Sequence, residues 1–266
     1  MPVVHNTLEQ LKAFALSCLC PQEVKTNRNS GLIKLIACLC MAFDHFGKMC
    51  FPQQSWMRLV GRLAFPLFAY GISVGVIHTK DPIEYLRRLV LLALVSQPLY
   101  SLGLAHENAA MYAVSFAEHP LRAAWTFYIK SFTTPSILIT LCAALTLLIL
   151  LRKKQWLLAF FVYILLERFG MNLDYGLFGI RLMLVFYFLC GHPLLCACAV
   201  FVFMIQNSAG YGYVFFGQEF SMRIFALPAA LFACLPLQSG FRAPRWLTYG
   251  FYPAHLLLLA LITKLG

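Results

Sequence analysis

An acid and an imidazole stand side by side, Asp44-His45, inside the apolar run CMAFDHFGKMCFP (residues 40–52), with Lys48 one turn on. A neutral imidazole is the side chain best suited to taking a proton near neutral pH, and it can also carry an acyl group. A neighbouring carboxylate would hold its tautomer and favour the imidazolium that forms. Adjacent helical residues diverge by about 100°, however, so Asp44 can equally face Lys48 or Arg62. Arg62 lies in the next apolar run, WMRLVGRLAFP, at a comparable depth, and offers a cation for Asp44 or for a developing oxyanion. His255, in FYPAHLLLL, is a second imidazole inside an apolar run.

A charge near the centre of a bilayer costs at least ~2.5–3.5 kcal/mol on the insertion scale, so such groups face a partner or a cavity. The plainer reading is that Asp44 and Arg62 only lock two helices together, and buried ion pairs add little net stability. His45 tips the reading toward chemistry. Among the later polar positions, Gln97 precedes Pro98 at the end of one apolar run, and Asn172, Asp174 and Tyr175 sit in a connector. Gln97, Asp174, Tyr175 and His255 are the candidates for touching a substrate.

The elements that must position these groups follow from composition. The chain is 61% hydrophobic and 12% charged, about half the charged fraction of a soluble domain. The fold expected is an all-α, polytopic membrane bundle of about nine spans, in a range of eight to ten. They are drawn at 32–51, 56–77, 87–104, 135–151, 155–170, 176–190, 193–206, 223–238 and 246–264. Residues 32–266 form one transmembrane domain. Residues 1–31 form an N-terminal segment, with Leu8, Leu11 and Ala15 on one face of a surface helix that Pro21 ends. The amphipathic stretch 111–130, broken at His119-Pro120, reads as an interfacial helix, a lid or a tenth span. Pro66 removes the helical hydrogen bond to the Arg62 carbonyl, and Gly61, Ala64, Ala69 and Gly71 permit close helix approach.

The net charge of +11 lies in short connectors rather than in a basic patch, so nucleic acid is not an expected partner. With the N-terminus in the cytoplasm, inner connectors hold Lys12, Lys25, Arg28, Lys34, Lys80, Arg87, Arg88, Arg152, Lys153, Lys154, Arg242 and Arg245. Outer ones hold Lys48, Arg58, Arg122, Lys130, Arg168 and Arg223. The excess on the inside sets that orientation and places Asp44, His45 and Arg62 toward the outer face. The C-x-C pairs Cys18/Cys20, Cys38/Cys40 and Cys196/Cys198 are embedded in apolar runs without ligand companions, so no metal is expected. No phosphate loop, G-x-S-x-G or H-E-x-x-H occurs. The residues by themselves leave a membrane-embedded transferase and a proton-coupled transporter open, with a non-catalytic assembly factor as a third class.

The blocks IKLIACLCMAFDHFGKMCFP, WMRLVGRLAFPLFAYGISVG, YLRRLVLLALVSQPLY, LDYGLFGIRLMLVFYF and WLTYGFYPAHLLLLAL resemble the TraX family of bacterial inner-membrane proteins. The order and spacing of D-H-x-G, G-R-x-A-F-P-x-F-A and F-Y-P-x-H carry that resemblance, which runs from residue 32 onward and leaves 105–134 poorly covered. It implies a role in N-terminal acetylation of pilin, and a logic similar to membrane acyltransferases that use an intramembrane His and cytoplasmic acetyl-CoA. On that resemblance His45 is the catalytic imidazole, Asp44 and Arg62 support it, and His255 shares the cavity. Arg87, Arg88, Arg152, Lys153 and Lys154 would attract the phosphates of acetyl-CoA at the inner face. The acceptor would be pilin or another envelope amine or hydroxyl, on a glycan or a lipid.

Overall fold

A computed structural model describes residues 26–104, 119–169, 173–235, 240–241, 243–244 and 246–265, with Lys12, Ala13, Leu16 and Cys18 ahead of them. The remainder of the expected surface helix, Asn172, Arg242, Arg245 and residues 111–118 lie outside the described residues.

The chain folds as an all-α bundle. The elements are α1 (Thr26–Cys50), α2 (Ser55–Gly61), α3 (Ala64–His78), α4 (Pro82–Gly103), α5 (Pro120–Ser131), α6 (Ile137–Arg152), α7 (Trp156–Phe169), α8 (Gly176–Leu189) and α9 (Pro193–Ser208). A 3₁₀ turn (Met222–Ala226) leads into α10 (Leu227–Cys234), and a π turn (Trp246–Gly250) leads into α11 (Phe251–Leu265). Each apolar run drawn from hydropathy thus contains a helix among the described residues. Local chemistry sets several ends. Asp81 caps α4, accepting from the Ile83 and Glu84 amides at 3.0 and 2.9 Å, with Pro82 in the first turn. The break between α2 and α3 falls at Arg62-Leu63, where Pro66 withholds its donor.

The segment Ser55–His78, which joins α2 and α3, is long and apolar enough to cross a membrane. The apolar helices α6, α8 and α9 are shorter, the last two among those already short as drawn. Helix α5 has 12 residues, about 18 Å at 1.5 Å per residue, against roughly 30 Å of hydrocarbon in a bilayer.

Helices α3, α6 and α8 pack on one another at the centre. Their fully buried residues include Ala69, Val76, Leu145, Ile180, Met183 and Phe186. The Ser73 hydroxyl donates to the Met183 carbonyl at 3.0 Å and ties α3 to α8. Around this core the outer faces are apolar: Leu91 and Val95 on α4, Leu157, Phe160, Phe161 and Leu165 on α7, Phe201 and Val202 on α9, and Leu258 and Leu261 on α11.

Helices α1 and α11 run parallel. Gly31 abuts Phe241 and Ala243, the Cys38 thiol reaches toward the Leu247 carbonyl, and His45 meets His255. The run through α2 and α3 is antiparallel to α1, with Gly47 against Met57 and Asp44 against Gly61. One element was absent from the expectation. Residues 209–220, read as connector, form an antiparallel hairpin of β1 (Ala209–Phe215) and β2 (Gln218–Phe220). Its two-residue turn places Phe216 and Gly217 at φ +50° and +76°, the sign that type I′ turns require.

Gly61 is where the bundle closes on its polar groups, because a Cβ there would overlap the Asp44 side chain. Gly61→Val should therefore force α1 and α2 apart, at about 1–3 kcal/mol for overpacking. A lowered melting temperature in detergent is expected; an unchanged one would contradict the close approach.

Candidate functional site

His45 is buried on α1, and its Nδ1 lies 2.7 Å from Nε2 of His255 on α11. The two rings are inclined by only 11°, with centroids 5.0 Å apart. His255 is also buried, and its Nδ1 donates to the Phe251 carbonyl one turn earlier at 2.8 Å. The Phe251 ring lies nearly parallel to His255 with centroids 5.1 Å apart, and Tyr252 meets both imidazoles edge-on. The two histidines, 210 residues apart in the chain, come together because α1 and α11 are parallel neighbours.

Asp44, one residue earlier, turns to another face, as the helical angle requires. It packs on Gly61, and its surrounding charges are Arg62, Arg58, Lys48 and Asp174. The direct Asp44–Arg62 pair expected from the sequence does not form. Asp44 Oδ1 is buried without a hydrogen bond, while Arg62 Nη1 donates to the Tyr175 hydroxyl at 3.2 Å. Similar depth on consecutive runs brought the two groups near, but rotamer and helix rotation gave Arg62 a different partner.

Tyr175 sits at φ +58°, in the left-handed region that tyrosine seldom adopts. Two contacts hold it there: the Arg62 bond, and Phe65, whose ring stacks on it with centroids 4.1 Å apart. Asp174 beside it feels Arg62, Lys48 and Arg223. Burial holds the Asp174 carboxyl above the ordinary carboxylate range, against the pull of the Arg62 guanidinium. Its backbone carbonyl accepts from the Thr140 hydroxyl at 2.6 Å, which fixes the connector to α6. Lys48 donates to the Leu104 carbonyl at 2.7 Å, closing the end of α4.

The sequence candidates therefore divide. Asp44, His45, Arg62, Asp174, Tyr175 and His255 gather in one half of the bundle. Gln97 does not present its amide to a substrate. Its Nε2 donates to the Ser131 and Thr134 carbonyls at 2.6 and 3.0 Å, and its Oε1 accepts from the Ser136 amide at 3.0 Å. Its role is to pin the α5–α6 loop to α4. Arg152 is likewise engaged, with Nη1 donating to the Val76 and Thr79 carbonyls at the end of α3. Arg87 and Arg88 pair with Glu84 at 3.0 and 3.4 Å on the exposed surface. Lys153 and Lys154 are exposed at the same end of the bundle. From Arg62 to His78 along α3 is about 24 Å at 1.5 Å per residue, so these basic groups lie at the end remote from the histidines.

Tyr252 and Tyr100 went unnoticed in the sequence. Tyr252 is buried three residues before His255, a spacing that puts both on one helix face and was legible as such. Its hydroxyl faces that of Ser136, yet neither oxygen completes a hydrogen bond. Tyr100 lies near Tyr252, Asp44 and Asp174, a juxtaposition of three helices and a loop with no local signal.

An all-helical bundle that buries a histidine pair beside a charged cluster is the class these observations define. The chain belongs to the TraX family, whose profile, described as TraX protein, matches residues 29–263. It is also similar to the probable fimbrial assembly protein FimC, serogroup H1, of Dichelobacter nodosus, at 32% identity over 80 residues. That match covers 29% of this chain and 33% of the relative, so the chain spans about a third of the relative's length. No solved structure matches it.

Replacing Gln97 by Leu would strand the Thr134 carbonyl and the Ser136 amide inside the bundle, since the Ser131 carbonyl keeps the Ser101 hydroxyl, at about 1–3 kcal/mol for each buried group left unpaired. Gln97→Leu should lower the melting temperature and abundance more than Arg88→Ala, whose pair is exposed. Equal effects from the two substitutions would contradict the scaffold role.

Proposed function

We propose that this chain is a multi-pass inner-membrane acetyltransferase that moves an acetyl group from cytoplasmic acetyl-CoA to an amine or hydroxyl of an envelope acceptor. Pilin is the acceptor that the TraX resemblance suggests, and the fimbrial relative supports that direction. The single observation that carries the reading is His45, an imidazole buried among apolar helices beside His255 and the Arg62 cluster.

Several features support a bundle immersed in lipid. Apolar side chains face outward on α4, α7, α9 and α11. Buried polar groups are mostly answered within the chain, as a solvent without hydrogen bonds demands. The parallel run of α1 and α11 fits an even number of reversals between them, as the nine-span topology requires. With the N-terminus in the cytoplasm, Lys153, Lys154, Arg87 and Arg88 lie at the inner face, where the phosphates of the donor can approach. Arg152 contributes there by closing α3 rather than by offering a free guanidinium.

In the reaction, the acceptor nitrogen or oxygen attacks the thioester carbonyl of acetyl-CoA. A C–N or C–O bond forms and the C–S bond breaks. His45 takes the acceptor proton and returns it to the departing thiolate. Arg62, held by Tyr175 and carrying an unbonded buried Nε, would supply the cation for the oxyanion. Asp44 keeps the cationic cluster near neutrality.

His45→Ala should leave membrane insertion and abundance close to normal and lower acetyl transfer in proteoliposomes by about 10²–10⁴-fold, the usual contribution of a general base. Full activity in that variant would overturn the assignment. Sidedness has its own test in a cysteine-depleted background. Lys153→Cys should react with an impermeant thiol reagent from the cytoplasm and Ser55→Cys from the outside. The reverse pattern would invert the topology and remove this mechanism with it.

A further inference from the structure

The histidine pair contains more information than proximity. A backbone carbonyl can only accept, so the 2.8 Å contact between His255 Nδ1 and the Phe251 carbonyl requires a proton on that nitrogen. A neutral His255 then has a bare Nε2, which can only accept. The 2.7 Å contact with His45 must therefore be donated by His45 Nδ1–H. A neutral His45 with its proton on Nδ1 has a bare Nε2. That atom has no hydrogen-bond partner among the described residues.

The ring geometry agrees. Imidazole lone pairs lie in the ring plane. Two rings inclined by 11° with centroids 5.0 Å apart are what a 2.7 Å N···N bond joining the edges of nearly coplanar rings produces. The opposite assignment would need His255 as a standing imidazolium donating from both nitrogens. Its surroundings argue against that charge: the rings of Phe251 and Tyr252 and the neighbouring imidazole. The charged group bearing on the pair is Lys48, of like sign. Asp44 points to Gly61 and the arginines instead.

We propose that His255 is a positioning residue that fixes His45 in its Nδ1–H tautomer and so makes Nε2 of His45 the reacting atom. The chain Phe251 carbonyl, His255, His45 does for this imidazole what a carboxylate does in a hydrolase triad, but without a buried anion. It also explains how His45 can lie next to Asp44 in sequence and take its orientation from a residue on the last helix. The catalytic meaning rests on the acetyltransferase reading; the tautomer does not.

The test uses the full chain in lipid nanodiscs with ¹⁵N-labelled histidine, assigned by comparison with His45→Ala. In wild type, His45 Nδ1 should resonate as a protonated nitrogen and Nε2 as an unprotonated one. A proton on Nε2 would overturn the proposal. His255→Gln keeps an amide oxygen near the place of the lost Nε2, so it should retain the tautomer and within about tenfold of the wild-type kcat. His255→Leu removes the acceptor. It should mix the tautomers and lower kcat by about tenfold or more, with KM for acetyl-CoA unchanged and abundance checked alongside. An unmixed tautomer and wild-type kcat in His255→Leu would also overturn it. If the tautomer is as described but no variant, wild type included, transfers acetyl, the acetyltransferase reading fails and the positioning role stands.

Discussion

A polar group enclosed by apolar helices has no water to turn to and must be answered from another part of the chain. That constraint organises this bundle. Ser73 bonds across to Met183, Gln97 gathers the loop before α6, Thr140 holds the carbonyl of Asp174, and Arg152 closes α3. Each of these bonds joins two elements that hydropathy alone would leave free to slide or rotate. In the same light, the unanswered atoms stand out. Among the described residues these include the Ser96, Thr134, Ser208 and Ser221 hydroxyls, but Asp44 Oδ1, Arg58 Nε, Arg62 Nε and the Ser136 and Tyr252 hydroxyls belong to groups drawn around the half of the bundle that holds the histidines. Natural structures leave few such groups unsatisfied without a reason, and a site that receives a polar substrate is one.

The elements were largely legible in the sequence because hydrophobic runs and helix punctuation are local properties. The run drawn at 56–77 hid the break at Arg62-Leu63, although Pro66 withholds a donor there, and the run drawn from 87 began a turn late because the Asp81-Pro82 start of α4 was not read. Rotation about each helix axis was not legible, since it depends on packing. Depth placed Asp44 and Arg62 near one another, but only the packed bundle reveals Tyr175 as the partner of Arg62. Gln97 and Arg152 have the chemistry of ligand-binding residues and spend it on backbone carbonyls. The hairpin at 209–220 was hidden because its Gly-aromatic alternation is short and lies between two stronger helical signals. His45 and His255 were each visible, whereas their contact was not, because nothing in a sequence ties positions so far apart.

The same architecture gives the proposed chemistry its economy. On that proposal the donor phosphates would stay at the end of α3 remote from the histidine pair, so a thioester reaching along the bundle would meet the imidazole without its charged portion entering the apolar interior. Placing the base on a neutral histidine pair avoids enclosing a separate carboxylate beside it, which lipid surroundings penalise. The charged cluster of Asp44, Asp174, Arg58, Arg62 and Lys48 stays to one side, where opposite signs offset one another.

Mass spectrometry of pili and envelope glycans from cells with and without this protein tests the central claim most directly. The account predicts an acetyl group on an amine or hydroxyl of one envelope acceptor that vanishes on deletion. It should return with the wild-type chain but not with a chain lacking the His45 imidazole. Identical acetylation in all of these cells would contradict it.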